Sequence, residues 1–89
     1  YPNVSCISVN DEVVHGIPMK TKLFSEGDLV KVDVCVSYKG YCADMARAYF
    51  IGKPSEHAVK LVEVAESALK KGISQARAGN RLGDISAAI

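Results

Sequence analysis

Leu29-Val30-Lys31-Val32-Asp33-Val34-Cys35-Val36-Ser37-Tyr38, followed by Lys39-Gly40 and then Tyr41 through Ile51, is the stretch on which the fold turns. Its even positions, Val30, Val32, Val34, Val36 and Tyr38, are β-branched or aromatic. After Leu29 the odd positions are Lys31, Asp33, Cys35 and Ser37. A period of two puts one set on each face of a strand. Lys39-Gly40 then reads as a tight turn, and the chain from Tyr41 runs back as a second strand. With Lys39 and Gly40 as the two loop residues, Val34 faces Met45, Val32 faces Arg47 and Val30 faces Tyr49. Asp33, Cys35, Asp44, Ala46 and Ala48 share the opposite face. A slip of one residue would send the two aspartates to opposite faces, so the register matters.

Working outward, Ile7, Val9, Val13 and Val14 flank Asn10-Asp11, which predicts a short hairpin. His15-Gly16-Ile17-Pro18 breaks any regular element, because glycine frees the backbone and proline removes a donor. Residues 19–28 form a polar connection ending in Ser25-Glu26-Gly27-Asp28. On the other side, Gly52-Lys53-Pro54-Ser55 stops the strand and starts a helix, with Ser55 as N-cap and Glu56 in the first turn. Ala58, Leu61, Val62, Ala65, Ala68, Leu69, Ile73 and Ala76 recur at helical spacing as one apolar stripe. Gly79-Asn80 is expected to close that helix as a C-cap pair, with Gly72 weakening its last turns. Leu82, Ile85 and Ile89 begin a second stripe. The fold class is therefore α+β, antiparallel strands followed by helices.

Composition bounds the function classes. The 89 residues are 48% hydrophobic, 24% charged and 7% aromatic, too apolar for a disordered chain. A chain of this size buries only about 60% of its unfolded surface, so its core is marginal. A net charge of +1 suggests neither nucleic acid nor an acidic membrane as a partner. No apolar run approaches the roughly 20 residues of a membrane span, and the first residues carry no signal-peptide pattern. The chain begins at Tyr1 without an initiating Met and stops at Ile89 with no helix stop signal. We expect a piece of something longer, one partial domain over 1–89 truncated at both ends. Three cysteines (Cys6, Cys35, Cys42) without paired spacing fit a reducing, cytoplasmic setting. They read as buried free thiols, with a Cys35–Cys42 disulfide as the alternative.

The chemistry centres on Asp33 and Asp44. In the expected register they are diagonal neighbours on one face, roughly 7–8 Å apart at the backbone. Carboxylates so placed repel, which a shared proton or a bound divalent cation relieves. Small Ala46 and Ala48 leave room beside them, and hard oxygen donors on a rigid hairpin suit a divalent metal. The competing reading is two solvated aspartates on an exposed polar face. A mixed Cys/Asp zinc site with Cys35 and Cys42 is a further alternative. His15, stiffened by Gly16 and Pro18, is mounted as a proton carrier could be, though a lone loop histidine is more often only hydrogen-bonded. His57 and Lys70-Lys71 read as solvated helix surface.

The segment from Ser5 through Val14 into His15-Gly16-Ile17-Pro18 closely resembles the signature loop of type I methionine aminopeptidases. So does Glu26-Gly27-Asp28-Leu29-Val30-Lys31-Val32-Asp33-Val34, followed by Gly40-Tyr41 and Asp44. The steps of 18 residues from His15 to Asp33 and of 11 from Asp33 to Asp44 match that family. Gly52-Lys53-Pro54 and the helices after it also fit, so the resemblance runs over essentially the whole chain. It implies half of a "pita-bread" fold, two pseudo-symmetric αβ halves around a central sheet. It implies removal of the initiator methionine from nascent proteins with a dinuclear divalent metal centre, the metal being cobalt, manganese, iron or zinc. By resemblance Asp33 binds one metal bidentately and Asp44 bridges the two. His15 hydrogen-bonds the substrate and assists proton movement, and Tyr1 and Cys6 line the pocket for the methionine side chain. The N-terminal methionine of nascent peptides and the ribosome are the implied partners.

The family's histidine ligand, both glutamate ligands and the glutamate base have no counterpart here. A hydroxide-generating metal site needs a closed ligand set and a base. Two of five ligands are present, so the chain alone is expected to be inactive. Cys35 stands where threonine is common, and Cys42-Ala43 where many members have His-Gly. Both departures bear on what surrounds the ligands. Two other readings compete: a non-catalytic pita-bread binding module, and a prolidase-like peptidase of the same fold. Retention of Asp33, Asp44 and His15 argues against the first, and the Val-His-Gly-Ile-Pro loop against the second. The apolar sheet face is expected to drive self-association.

Overall fold

The alternation of valines with polar residues produces the two longest strands of the computed structural model, which describes residues 1–89. Strand β2 spans Leu29–Tyr38 and β3 spans Tyr41–Phe50. They pair antiparallel with Val34 opposite Met45, Val32 opposite Arg47 and Cys35 opposite Asp44, the register expected from a two-residue turn. Lys39 (φ 51°) and Gly40 (φ 83°) both adopt left-handed backbone. Two such residues in succession give the primed turn whose twist matches that of the flanking strands.

Strand β1 spans Cys6–Val9 and lies on the other side of β2, giving a three-stranded sheet in the order β1-β2-β3. Its pairing places Cys6 opposite Asp33 and Val9 opposite Val30. The short hairpin expected around Asn10-Asp11 does not form, and Val13 and Val14 are exposed outside any strand. The Asn10-Asp11 turn itself forms, closed by the Glu12 N–H donating to Val9 O (3.0 Å), but the chain beyond it is drawn to β2 by polar bonds and does not return as a strand. Asn10 Nδ2 donates to Asp28 Oδ1 (2.8 Å), and Leu29 N–H donates to Asn10 Oδ1 (2.9 Å). Lys31 Nζ donates to the carbonyls of Asn10 (2.8 Å) and Glu12 (2.5 Å). Asn10, with φ 48°, thus sends the chain away from its own strand and onto the start of β2.

The polar connection over 19–28 ends in a turn. Asp28 Oδ2 accepts the Ser25 N–H (2.8 Å), while Gly27 N–H donates to Ile51 O (2.7 Å) and Ile51 N–H to Asp28 O (2.9 Å). The last two bonds carry the β2–β3 pairing past its formal end. Residues 1–55 form one compact unit. Its buried centre is small: Val30 and Ser8 are each 3% exposed. The far half of β2 and all of β3 but Phe50 are exposed, with Val36, Tyr38, Met45 and Tyr49 all more than half accessible on the apolar face.

Residues 56–89 form a second unit of two helices, α1 (Glu56–Gln75) and α2 (Leu82–Ala88). Helix α1 starts where the Ser55-Glu56 signal puts it, and its first-turn glutamate suits the dipole. It stops at Gln75, short of the Gly79-Asn80 pair. Gly79 (φ 94°) lies in the following turn, and the Asn80 side-chain amide reaches back to donate to Gln75 O (2.9 Å). The cap is therefore a side chain acting from five residues away. Gly72 was expected only to weaken the helix. It is buried, and a Cβ there would sit 2.8 Å from Ile89 Cγ1, so glycine lets α2 approach α1. At the start of α2, Asp84 Oδ2 accepts the Arg81 N–H (2.7 Å) and supplies a cap that no sequence signal marked.

Candidate active site

The loop between β1 and residue 18 is set by one glycine. Gly16 lies so close to β1 that a Cβ would fall 2.3 Å from Ile7 O and 2.8 Å from Ser8 Cα. Ile7 N–H donates to Gly16 O (2.8 Å), and Gly16 N–H donates to the buried Ser8 Oγ (3.0 Å). Tyr1 OH also donates to Gly16 O (2.8 Å) and to Ser5 O (3.1 Å). His15 precedes this clasp with φ 59°, a left-handed conformation uncommon for a residue with a side chain. On the other side of the loop, Glu12 Oε2 accepts the Val9 N–H (2.8 Å) and pairs with Lys22, whose Nζ also reaches Ile7 O (3.4 Å). The Lys22 bond, the Val9 N–H and the two nearby lysines hold the Glu12 carboxyl below its usual range. Ser25 N–H and the Asn10 amide do the same for Asp28.

These supports gather the expected site residues around one open cavity of about 480 Å³. Tyr1, Cys6, His15, Asp33 and Asp44 all line it, with Cys35 and the 3–5 segment completing the wall. The register explains the convergence. Cys6 pairs with Asp33 and Asp44 with Cys35, so four side chains leave the same sheet face within two adjacent rows. Asp33 is half-buried and Asp44 exposed, and neither takes an ion pair from the chain. Although 63% of Tyr1 is accessible, its hydroxyl is tucked against the loop. Desolvation first, then hydrogen bonding and charge at Cys6, then the Asp33 carboxylate push its phenol up to about 12.

Two carboxylates beside the small Ala46 form an oxygen donor pair suited in kind to a hard divalent cation. Nowhere does the chain gather three or more His, Cys, Asp or Glu side chains able to hold a metal. The mixed Cys/Asp site is therefore not formed. All three thiols are free, but Cys35 and Cys42 are exposed and Cys6 half-buried, against the expectation of buried thiols. They follow the polar, open face of the hairpin. His57 and Lys70-Lys71 are solvated helix surface, as expected. Cys35, named in the sequence only as part of a mixed zinc site, joins the cavity wall through its row with Asp44. Ser8 lies outside the wall and carried no role in the sequence; it shows itself only through the Gly16 contact.

A family model for the M24 metallopeptidases matches residues 1–89. The chain belongs to metallopeptidase family M24. It is 43% identical over its whole length to methionine aminopeptidase 2 of Bacillus subtilis and 47% identical to the methionine aminopeptidase of Aquifex aeolicus. It spans 36% and 34% of those relatives, about a third of their length. Among solved structures, the methionine aminopeptidase of Thermotoga maritima superposes with a TM-score of 0.90 at 47% identity, covering 96% of this chain and 34% of that one. The Rickettsia prowazekii enzyme gives 0.88 at 39% identity, over 94% and 34%. The resemblance to type I methionine aminopeptidases therefore holds along the whole M24 chain. The α+β architecture is a portion of the pita-bread fold of those neighbours. No helix is long and apolar enough to cross a membrane.

Proposed function

We propose that these residues are the first half of a methionine aminopeptidase catalytic domain, and that the whole protein removes N-terminal methionine from nascent peptides in the cytoplasm. The observation that supports this reading most is the shared cavity of Asp33, Asp44 and His15, built by a strand register and a glycine clasp. In this reading Asp33 and Asp44 are ligands to a pair of divalent cations, and residues outside these 89 supply the rest. When bound, such cations supply Lewis acidity at a scissile carbonyl and acidify the attacking water. An imidazole nitrogen of His15 hydrogen-bonds the substrate backbone and carries a proton during cleavage. Tyr1 and Cys6 bound the pocket for the methionine side chain, and the Tyr1 hydroxyl is engaged with the loop.

The 89-residue chain alone is expected to leave a Met-Ala-Ser peptide intact with cobalt, manganese, iron or zinc added. Chelator-sensitive turnover by the purified chain would overturn that. In the whole protein, Asp33→Asn and Asp44→Asn are each expected to lower divalent-metal affinity in calorimetry and to lose most of the turnover. Unchanged affinity in both removes the metal assignment. We also propose that the isolated chain self-associates through the exposed face of Val36, Tyr38, Met45 and Tyr49. A sedimentation coefficient independent of concentration would count against it.

A further inference from the structure

Ser8 is the one buried polar residue of the chain, 3% exposed at the centre of a short strand. A hydroxyl in that setting needs a partner, and its partner is the amide of Gly16, 3.0 Å away. Gly16 is also the residue whose backbone rests directly on Ile7 and Ser8, with no space for a side chain. Its carbonyl takes two donors, the Ile7 amide at 2.8 Å and the Tyr1 hydroxyl at 2.8 Å. The N–H and the C=O of Gly16, which belong to successive peptide groups, are thus both committed to β1 and the N-terminal segment. The residue immediately before it is His15, held at φ 59°. A single left-handed residue with a side chain persists only where its surroundings over-determine it, at a cost of order 1–3 kcal/mol.

We infer that Ser8 is a positioning residue for His15, acting through the Gly16 amide to hold the histidine over the cavity shared with Asp33 and Asp44. The inference rests on the reading of His15 as the substrate-binding proton carrier. The physical argument is one of alternatives. Without the Ser8 hydroxyl, the Gly16 N–H is left buried against β1 with no acceptor. The peptide can recover a partner only by rotating toward water. The rotation would change ψ of His15 and swing its ring out of line with the carboxylates, which stand on β2 and β3 and do not depend on this loop. A second row of bonds holds the outer side of the loop through Glu12, Lys22 and Lys31. The loop therefore stays attached when Ser8 is changed, and only its inner edge is released.

The test compares Ser8→Ala, Ser8→Thr and His15→Ala in the whole protein, reading three quantities in each. They are exchange of the Gly16 amide, divalent-metal affinity, and kcat with KM for a Met-Ala-Ser peptide across pH. Ser8→Ala is expected to speed Gly16 exchange roughly tenfold, the weight of one lost hydrogen bond to a buried acceptor. It lowers kcat and shifts the pH profile toward that of His15→Ala, while metal affinity is retained. Ser8→Thr keeps the acceptor and restores both exchange and kcat. Unchanged Gly16 exchange in Ser8→Ala overturns the inference. So does a parallel fall of metal affinity and kcat that Ser8→Thr fails to reverse, which is the signature of general unfolding. Wild-type kcat in His15→Ala overturns the role given to His15, while faster Gly16 exchange in Ser8→Ala would still support the clasp.

Discussion

The two ends of the β-sheet are held in different ways. At the β1 end, side chains and backbone of the 1–31 segment are cross-bonded at Tyr1, Ser8, Asn10, Glu12, Lys22 and Lys31, and the buried residues Ser8, Gly16 and Val30 lie there. At the β2–β3 tip, both faces are open and little beyond ladder bonds and the Lys39-Gly40 turn sustains the pairing. The tip needs only local information: a period of two and a turn that tolerates two left-handed residues. The β1 end needs residues far apart in sequence to meet. The difference tells where function can be placed. Asp33 and Asp44 ride on the locally specified hairpin, whereas His15 rides on a loop that exists only because of tertiary bonds.

The largest expected effect comes from placing a methyl group at each end. Gly16→Ala would push a Cβ to 2.3 Å from Ile7 O, a backbone atom that cannot yield. We expect a loss of about 3 kcal/mol in urea denaturation, at the upper end of ordinary overpacking. At the tip, Gly40→Ala meets nothing within 4 Å and is opposed only by φ 83°. Its expected cost is about 1 kcal/mol, the penalty of left-handed backbone for a residue with a Cβ. Equal costs would mean that the clasp is no tighter than the turn.

Smaller effects follow from pH, and they too should be confined to the β1 end. Glu12 and Asp28 have carboxyls held below their ordinary values of 4.5 and 3.8 by bonds made only in the folded chain. Their contribution is fully present above those values and is lost as pH falls through the lowered ones. Amides of the 9–12 and 25–29 segments should therefore exchange faster in acid before those of the β2–β3 tip do. Tyr1 works in the opposite sense. Its phenol is raised from 10.0 to about 12, so the neutral hydroxyl's contribution is intact below pH 10 and lost as pH rises through 12. Alkaline titration followed by tyrosine absorbance should show one late-ionising tyrosine, abolished by Tyr1→Phe. Simultaneous ionisation of all four tyrosines would remove the loop contacts of Tyr1 from the account.

Much of the site was legible because the hairpin is a short-range structure. Alternation from Leu29 to Tyr38 and the two-residue turn were enough to put Asp33 and Asp44 on one face. The pairing of Cys6 with Asp33 was not legible, because Asn10-Asp11 has the composition of a hairpin turn and its true partners lie 18 and 19 residues downstream. The end of α1 was misplaced for a similar reason. A glycine with an asparagine marks a stop, but the Asn80 side chain caps a carbonyl five residues earlier.

Taken by itself, the amino-acid sequence determined the α+β class and the hairpin register, since each depends on neighbours within a strand or turn. Only the tertiary structure decided the order β1-β2-β3, the left-handed His15 and the role of Gly16 as a contact point. Those features depend on how closely two backbone segments approach. The Ser8 hydroxyl became informative for the same reason: it is buried against a peptide eight residues away, and that peptide has no other acceptor.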